Sequence, residues 1–224
     1  LDEPIVLCLQ FVVVALSRLI GTLEHELVAH RRPNLLPVRL PTLRPHPPFG
    51  LRASEAWLRA VTGALGRAEV FESVWRERQD EWQPAWEALR AQAQGYRVGF
   101  VCDESDWRAS LSATRRMGVP LLSLVSEFGF AGVDVFVYTG LRAPEPAPEP
   151  WITLRGYATR RELEAELRRS PAVAIYSELY FDKRLSRTGK NIFSLRDITC
   201  GPRGAVDTLT RLLARCRLPF YRRY

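Results

Sequence analysis

The chain has 224 residues, 46% of them hydrophobic and 25% charged, so it can bury a substantial core and reads as a globular domain rather than a disordered or low-complexity one. Its formal charge of +7 comes almost wholly from arginine, because Lys183 and Lys190 are the only lysines. The arginines alternate with acids, as in Arg76, Glu77, Arg78, Asp80 and Glu81, which is the pattern of a solvated helix face and not of a basic stripe tracking nucleic acid.

The chain opens on Leu1 with no methionine, so a processed, trimmed or partial chain is expected. Ile5 to Ile20 is the most apolar stretch, but Gln10 and Arg18 interrupt it, and it falls short of a membrane span. It also lacks the basic start and small-residue cleavage site of a signal peptide. A strand at Ile5–Leu9, an amphipathic helix through Leu27 and a strand at Asn34–Leu40 read as the remnant of a preceding α/β domain over residues 1–50. Pro41 to Gly50 (PTLRPHPPFG) holds too much proline for a helix or strand and marks a loop or domain crossing. From Ser54 and Glu55 a helix carries Trp57, Val61 and Leu65 at spacing four. A second helical region, Ala68–Gln94, carries Phe71, Trp75, Trp82, Trp86 and Leu89, and Pro84 is expected to kink or restart it. These connecting helices, 51–94, lead into a Rossmann-like domain over 95–224.

That domain begins with a βαβ unit. Arg97–Cys102 has the composition of a buried parallel strand. Asp103, Glu104 and Ser105 suit a helix N-terminus, and a helical stripe through Ala109, Leu111 and Ala113 is expected to end at Gly118. The apolar run Val119–Val125 is read as the second strand. Ligands of such sheets bind outside the carboxyl ends of the strands, here at Cys102–Asp106 and Ser126–Phe128. A further strand is expected at Val133–Tyr138, and Ala143–Pro150 (APEPAPEP) reads as an extended linker. Thr159 caps a helix through Leu163 and Leu167 that Pro171 ends. Strands at Ala172–Tyr176 and Asn191–Ser194 flank a helical turn within Glu178–Leu185, and a last helix runs Gly204–Cys216. Alternating helices and strands give an α/β, doubly wound parallel sheet as the fold class.

The chemical inventory is short. No Walker loop, GxGxxG or GxSxG is present. His25, His30 and His46 all precede the βαβ unit and share no metal-type spacing with a carboxylate. Cys8, Cys102, Cys200 and Cys216 form no CxxC pair and no zinc spacing, so a reducing cytoplasm is expected rather than a disulfide framework. Cys102, at a strand end before a helix, could be an activated thiolate, though a buried strand cysteine is the commoner case. Cys200, before Gly201-Pro202, is likewise read as structural ahead of ligating. Glu127 and Glu178 each follow an apolar run, where a carboxylate either faces a cleft or caps a helix.

The segment GYRVGFVCDESDWRASLSATRRMGVPLLSLVSEF resembles the start of the C-terminal domain of the nitrogenase component 1 family. PPFGLRASEAWLRAVTGALG is similar to that family's proline-glycine loop and following helix. IYSELYFDKRL and GKNIFSLRDI resemble two of its late strands, and GPRGAVDTLTRLLAR its closing helix. The resemblance covers Pro47 to Arg215. The family comprises nitrogenase, its cofactor-assembly scaffolds and the light-independent protochlorophyllide and chlorophyllide reductases. It implies subunits of Rossmann-like domains, a homologous partner subunit, and electrons delivered by an ATP-dependent iron–sulfur reductase.

The nitrogenase position of a cofactor-ligating histidine matches Phe193, and that of a cofactor-contacting lysine matches Ser177. Glutamates on the cofactor side match Glu127 and Glu178. Asp103, Glu104 and Asp106 replace glycines and an arginine, and Arg32 stands just before Pro33, where a ligating cysteine would fall. The resemblance therefore argues against a molybdenum–iron cofactor. The protochlorophyllide-reductase subunit is the nearer match, through Cys102-Asp103-Glu104-Ser105 and Asn191–Leu195. It implies a tetrapyrrole cavity and an iron–sulfur cluster whose ligands lie outside this segment. Asp103, Glu127 and Glu178 are the expected cavity-rim residues. The expected function is the C-terminal part of a nitrogenase-like oxidoreductase component, with no nucleic-acid or membrane partner. A non-catalytic assembly scaffold and a Rossmann-like small-ligand module remain the alternatives.

Overall fold

The computed structural model describes residues 47–103, 106–140, 147, 149–179 and 182–218. The elements expected before Pro47, the three histidines, Cys8, Glu104, Ser105 and most of Ala143–Pro150 lie outside the described residues.

Two helices come first, α1 (Leu51–Ala64) and α2 (Ala68–Ala93). α2 runs uninterrupted through Pro84 and is neither ended nor restarted there. Pro84 lies on the exposed side of the helix, so the Asp80 carbonyl that loses its intrahelical donor stays beside water. The opposite side buries Phe71, Trp82, Trp86 and Ala93. These helices therefore share the core of the sheet that follows them.

Strand β1 (Arg97–Cys102) is followed by a single turn of helix, α3 (Trp107–Ser110), and by successive turns to Gly118. The run expected to be a strand at Val119–Val125 is instead part of helix α4 (Leu121–Phe128). Its buried positions, Leu121, Leu124, Val125 and Phe128, recur at three- and four-residue steps, whereas Ser123 and Ser126 are exposed. Pro120 starts the helix, and Gly129, at φ 76°, closes it in the left-handed region. The first βαβ unit therefore closes on β2 (Gly132–Tyr138), which pairs in parallel with β1 along its length.

Strand β3 (Ile152–Tyr157) was not foreseen from the sequence and forms one edge of the sheet. Helix α5 (Arg160–Arg169) starts where expected, with the Thr159 hydroxyl accepting from the Glu162 N–H. Strand β4 (Ala174–Tyr176), the turn α6 (Lys183–Ser186), strand β5 (Asn191–Phe193) and helix α7 (Gly201–Arg217) complete the fold.

All five strands are parallel, in the order β3-β2-β1-β4-β5. One face packs against α1, α2, α4 and α7 through residues such as Trp86, Phe128, Leu209 and Leu213. The other face packs Phe136, Tyr157 and Ile175 against Leu163 and Leu167 of α5 and Leu185 of α6. This is the doubly wound α/β architecture, and the strand order reverses between β1 and β4.

Beneath the α5 face lies a fully buried charge. Asp134 of β2 accepts from Arg97 Nε of β1 at 3.0 Å, Arg155 Nε of β3 at 2.8 Å and Ser170 Oγ at 2.6 Å. A side chain at residue 132 would overlap the Arg97 guanidinium, so Gly132 leaves the space through which Arg97 reaches its partner. Burial opposes ionisation of Asp134, but the Ser170, Arg97 and Arg155 donors outweigh it and hold the carboxyl below its usual range. Its contribution to stability is therefore present above the ordinary value of 3.8 and is lost as pH falls through the lower folded value. Asp134→Ala is expected to cost about 3 kcal/mol by urea denaturation at neutral pH, because it strands two guanidinium groups at the sheet. That difference should shrink as the measurement moves to acid pH.

Candidate functional site

The carboxyl ends of β1, β4 and β5 lie side by side, because Phe100 is in register with Tyr176 and Tyr176 with Phe193. The rings of these three residues lie 5.6 to 6.0 Å apart and floor the sheet edge. Above that floor, at the switch point, two tyrosine–carboxylate–arginine groups stand on opposite faces of the sheet.

On the α5 face, Tyr157 at the end of β3 donates to Asp103 Oδ1 at 2.8 Å, and its hydroxyl lies 3.2 Å from the Cys102 carbonyl. Arg184 Nη1 donates to the same Asp103 oxygen at 3.2 Å. Arg184 is itself held by Asp182, which caps α6 through the Arg184 N–H and accepts from Ser177 Oγ at 3.0 Å. Asp182 is buried, which opposes its charge, yet the Arg184 and Ser177 donors hold its carboxyl below the usual range. Burial, then the hydrogen bond to Asp103, pushes the Tyr157 phenol well up. Tyr157 therefore stays protonated and acts as a donor.

On the other face, Arg116 pairs with Glu178, its Nε donates to the Ser110 carbonyl at 2.6 Å, and its guanidinium lies 5.5 Å from the centre of the Tyr176 ring. Tyr176 donates to Glu178 Oε1 at 3.2 Å. Burial, then the Glu178 charge, raises the Tyr176 phenol. In both groups the arginine and the tyrosine are largely covered while the carboxylate faces out, with Asp103 69% and Glu178 54% exposed.

Asp103 and Glu178 thus meet at one edge, as the strand-end reading of the sequence expects. Glu127 does not join them. It lies on α4, five residues before β2 begins, and so belongs to the amino edge, where its Oε1 accepts from the Arg52 N–H of α1 at 2.8 Å. Arg116, Tyr157, Tyr176, Asp182 and Arg184 carry no motif or spacing that marks them in the sequence. Arg116 lies 62 residues from its partner Glu178, and Tyr157 ends a strand that was not foreseen.

The turn after β1 carries Asp103 and Asp106 and leads into one turn of helix, so it lacks the glycines and long helix that cradle a phosphate in dinucleotide folds. Among the described residues, no group of His, Cys, Asp and Glu could hold a metal ion. Cys102 lies in the core under the edge, and burial pushes the Cys216 thiol up to about 12. These thiols fit packing roles rather than cluster ligation. No helix among the described residues is long and apolar enough to cross a membrane. No protein-family model and no curated protein matches the chain.

The two arginines differ in what they support. Arg184 neutralises a buried carboxylate, whereas Arg116 serves one that water already solvates. Arg184→Met is therefore expected to cost about 3 kcal/mol in urea denaturation. Arg116→Met should cost about 1 kcal/mol, most of it from lost packing on Tyr176.

Proposed function

We propose that this chain is the C-terminal part of a nitrogenase-like component 1 subunit, and that its carboxyl-edge residues form one wall of the substrate cavity. The observation that supports this reading is a convergence of three segments. The resemblance assigns Cys102–Asp106, Ser177–Glu178, Phe193 and Glu127 to the cofactor-facing side; the first three segments stand at the ends of three adjacent strands, whereas Glu127 lies at the amino edge. The match to the reductase subclass favours a tetrapyrrole as the substrate class.

In this proposal an ATP-dependent iron–sulfur reductase supplies single electrons, a homologous subunit completes the cavity, and the assembly works in the cytoplasm. The iron–sulfur cluster is assigned to ligands outside this segment: Cys102 and Cys216 are buried in the core, and among the described residues no group of His, Cys, Asp and Glu could hold a metal ion. The part left to this chain is position and electrostatics. Asp103 and Glu178 present fixed acceptors toward the cavity, and Tyr157, Arg184, Tyr176 and Arg116 hold those carboxylates in place. A wall of this kind suits a substrate that offers N–H or O–H donors. It is poorly suited to an anionic metal–sulfur cofactor, which would meet like charge.

Anoxic purification of the intact parent protein tests the reading. Iron and acid-labile sulfide, with a visible charge-transfer absorption, are expected, and a colourless, iron-free intact protein overturns it. Asp103→Ala and Glu178→Ala should each lower electron-transfer turnover on the order of tenfold through loss of substrate positioning. Full activity in both variants would remove these residues from the cavity.

A further inference from the structure

We propose that the carboxyl edge seats an extended aromatic ligand bearing N–H donors, with Met117, Tyr138 and Leu179 holding its apolar body and Asp103 and Glu178 accepting from its donors. The seat rests on the reading of this edge as one wall of a substrate cavity, and it adds the side chains that select the ligand. Among the described residues five large apolar side chains are exposed: Val74, Met117, Tyr138, Leu179 and Leu218. Three of the five stand at this edge, each beside a member of the two tyrosine–carboxylate–arginine groups. Exposed apolar side chains scattered singly are ordinary, whereas a set of them gathered at the ligand-binding edge of a parallel sheet marks a contact surface.

The surrounding contacts hold these side chains in place. Met117 follows Arg116, whose guanidinium pairs with Glu178, and Leu179 follows that glutamate. The ion pair therefore ties together the two turns that carry the exposed apolar groups. Met117 has a φ of 52°, in the left-handed region that a long side chain seldom occupies, and the turn continues through Gly118 at 87°. The fold thus holds a methionine outward at a strained position. The Leu179 N–H donates to Ser177 Oγ at 3.2 Å, which fixes the backbone after β4. On the α5 face Tyr157 links Tyr138 to Asp103. Its hydroxyl donates to Asp103 at 2.8 Å, and its ring meets the Tyr138 ring edge-on with centroids 5.8 Å apart.

The ligand class follows from these groups and their spacing. Adjacent strands lie about 4.8 Å apart, so the ends of β2, β1 and β4, which carry Tyr138, Asp103 and Glu178–Leu179, span about 10 Å. A ligand crossing them meets an apolar side chain at each end and the exposed carboxylates between. A thioether and a phenol ring both favour aromatic partners. The carboxylates accept from N–H groups and repel anions, while Arg116 and Arg184 are already engaged by them. The combination selects an aromatic body with N–H donors over a nucleotide, an organic acid or a sugar.

Titration of the full chain with proflavine, a tricyclic aromatic cation with an amino group at each end, read by fluorescence anisotropy, tests the seat. Met117→Ser, Tyr138→Ser and Leu179→Ser should each weaken binding about fivefold, a loss of the size that covering part of one such side chain supplies. Val74→Ser, on α2 and away from the edge, should leave it unchanged. Asp103→Asn and Glu178→Gln should each weaken it about tenfold, as expected for loss of a charge-assisted acceptor. Anilinonaphthalene sulfonate, an apolar anion of similar size, should bind at least about tenfold more weakly than proflavine. Absence of saturable proflavine binding, equal affinity for the two probes, or proflavine affinity unmoved by the three edge serine variants overturns the proposal, as does an equal loss in Val74→Ser. These outcomes are independent of the iron and sulfide content of the intact parent. An iron-free parent whose edge variants lose proflavine keeps the seat and loses the nitrogenase-like reading, and an iron-bearing parent with unmoved variants does the reverse.

Discussion

The carboxylate of Asp134 is the constraint on which the geometry of the sheet depends. A charge with no solvent exposure is tolerated only where donors replace its hydration, and here they come from both neighbouring strands and from the end of α5. Arg97 and Arg155 keep part of their own surface in water, so only one of the three charges is fully desolvated. Because alternate residues of a strand face opposite sides, slipping β3 by one residue would turn Arg155 away from Asp134 and leave the charge underpaired. The network therefore fixes the register of β1, β2 and β3 together. Tyr157 lies two residues beyond Arg155 on the same face, and that register delivers its hydroxyl to Asp103 at the far edge. A structural ion network at the amino half of the sheet thus sets the geometry of the polar group at its carboxyl end.

The two edges of the sheet divide the labour. At the carboxyl edge the carboxylates are exposed and their supports are covered, an arrangement that fixes side chains while leaving acceptor oxygens toward solvent. At the amino edge the relation is inverted. Glu127 is covered, and its Oε1 accepts from the Arg52 N–H in the first turn of α1. A buried carboxylate that caps a helix is committed to the fold, whereas an arginine-paired carboxylate at a strand end remains available to a ligand.

Much of this architecture was legible in the residues. The runs 97–102, 133–138 and 172–176 carry the branched and aromatic composition of buried parallel strands, and the strands Arg97–Cys102, Gly132–Tyr138 and Ala174–Tyr176 lie on them; Thr159 at the start of α5 is an explicit capping signal. What failed did so for identifiable reasons. The run Val119–Val125 reads as a strand on hydrophobicity alone, although Leu121, Leu124, Val125 and Phe128 keep helical spacing. A strand there would put Glu127 at the carboxyl edge, whereas the helix puts it at the amino edge. β3 escaped notice because Arg155 and Gly156 break its apolar character, and only the tertiary partner Asp134 makes an arginine admissible there. The paired arginines of the site were invisible for a related reason: Arg116 and Arg184 find their carboxylates across the fold and not along the chain.

The arginine excess takes on a different meaning once these partners are known. Arg97, Arg116, Arg155 and Arg184 direct their charge onto Asp134, Glu178, Asp103 and Asp182, so none of the four belongs to a free basic surface. Arginine suits this task better than lysine, because its planar fork can engage two acceptors from one side chain, as Arg184 does with Asp103 and Asp182. A basic composition that would suggest attraction of phosphates instead pairs its arginines with carboxylates at the edge where an open parallel sheet binds ligands. The local charge of that edge is set by what its arginines hold, and in the proposed cavity the carboxylates they hold are the groups a ligand would meet.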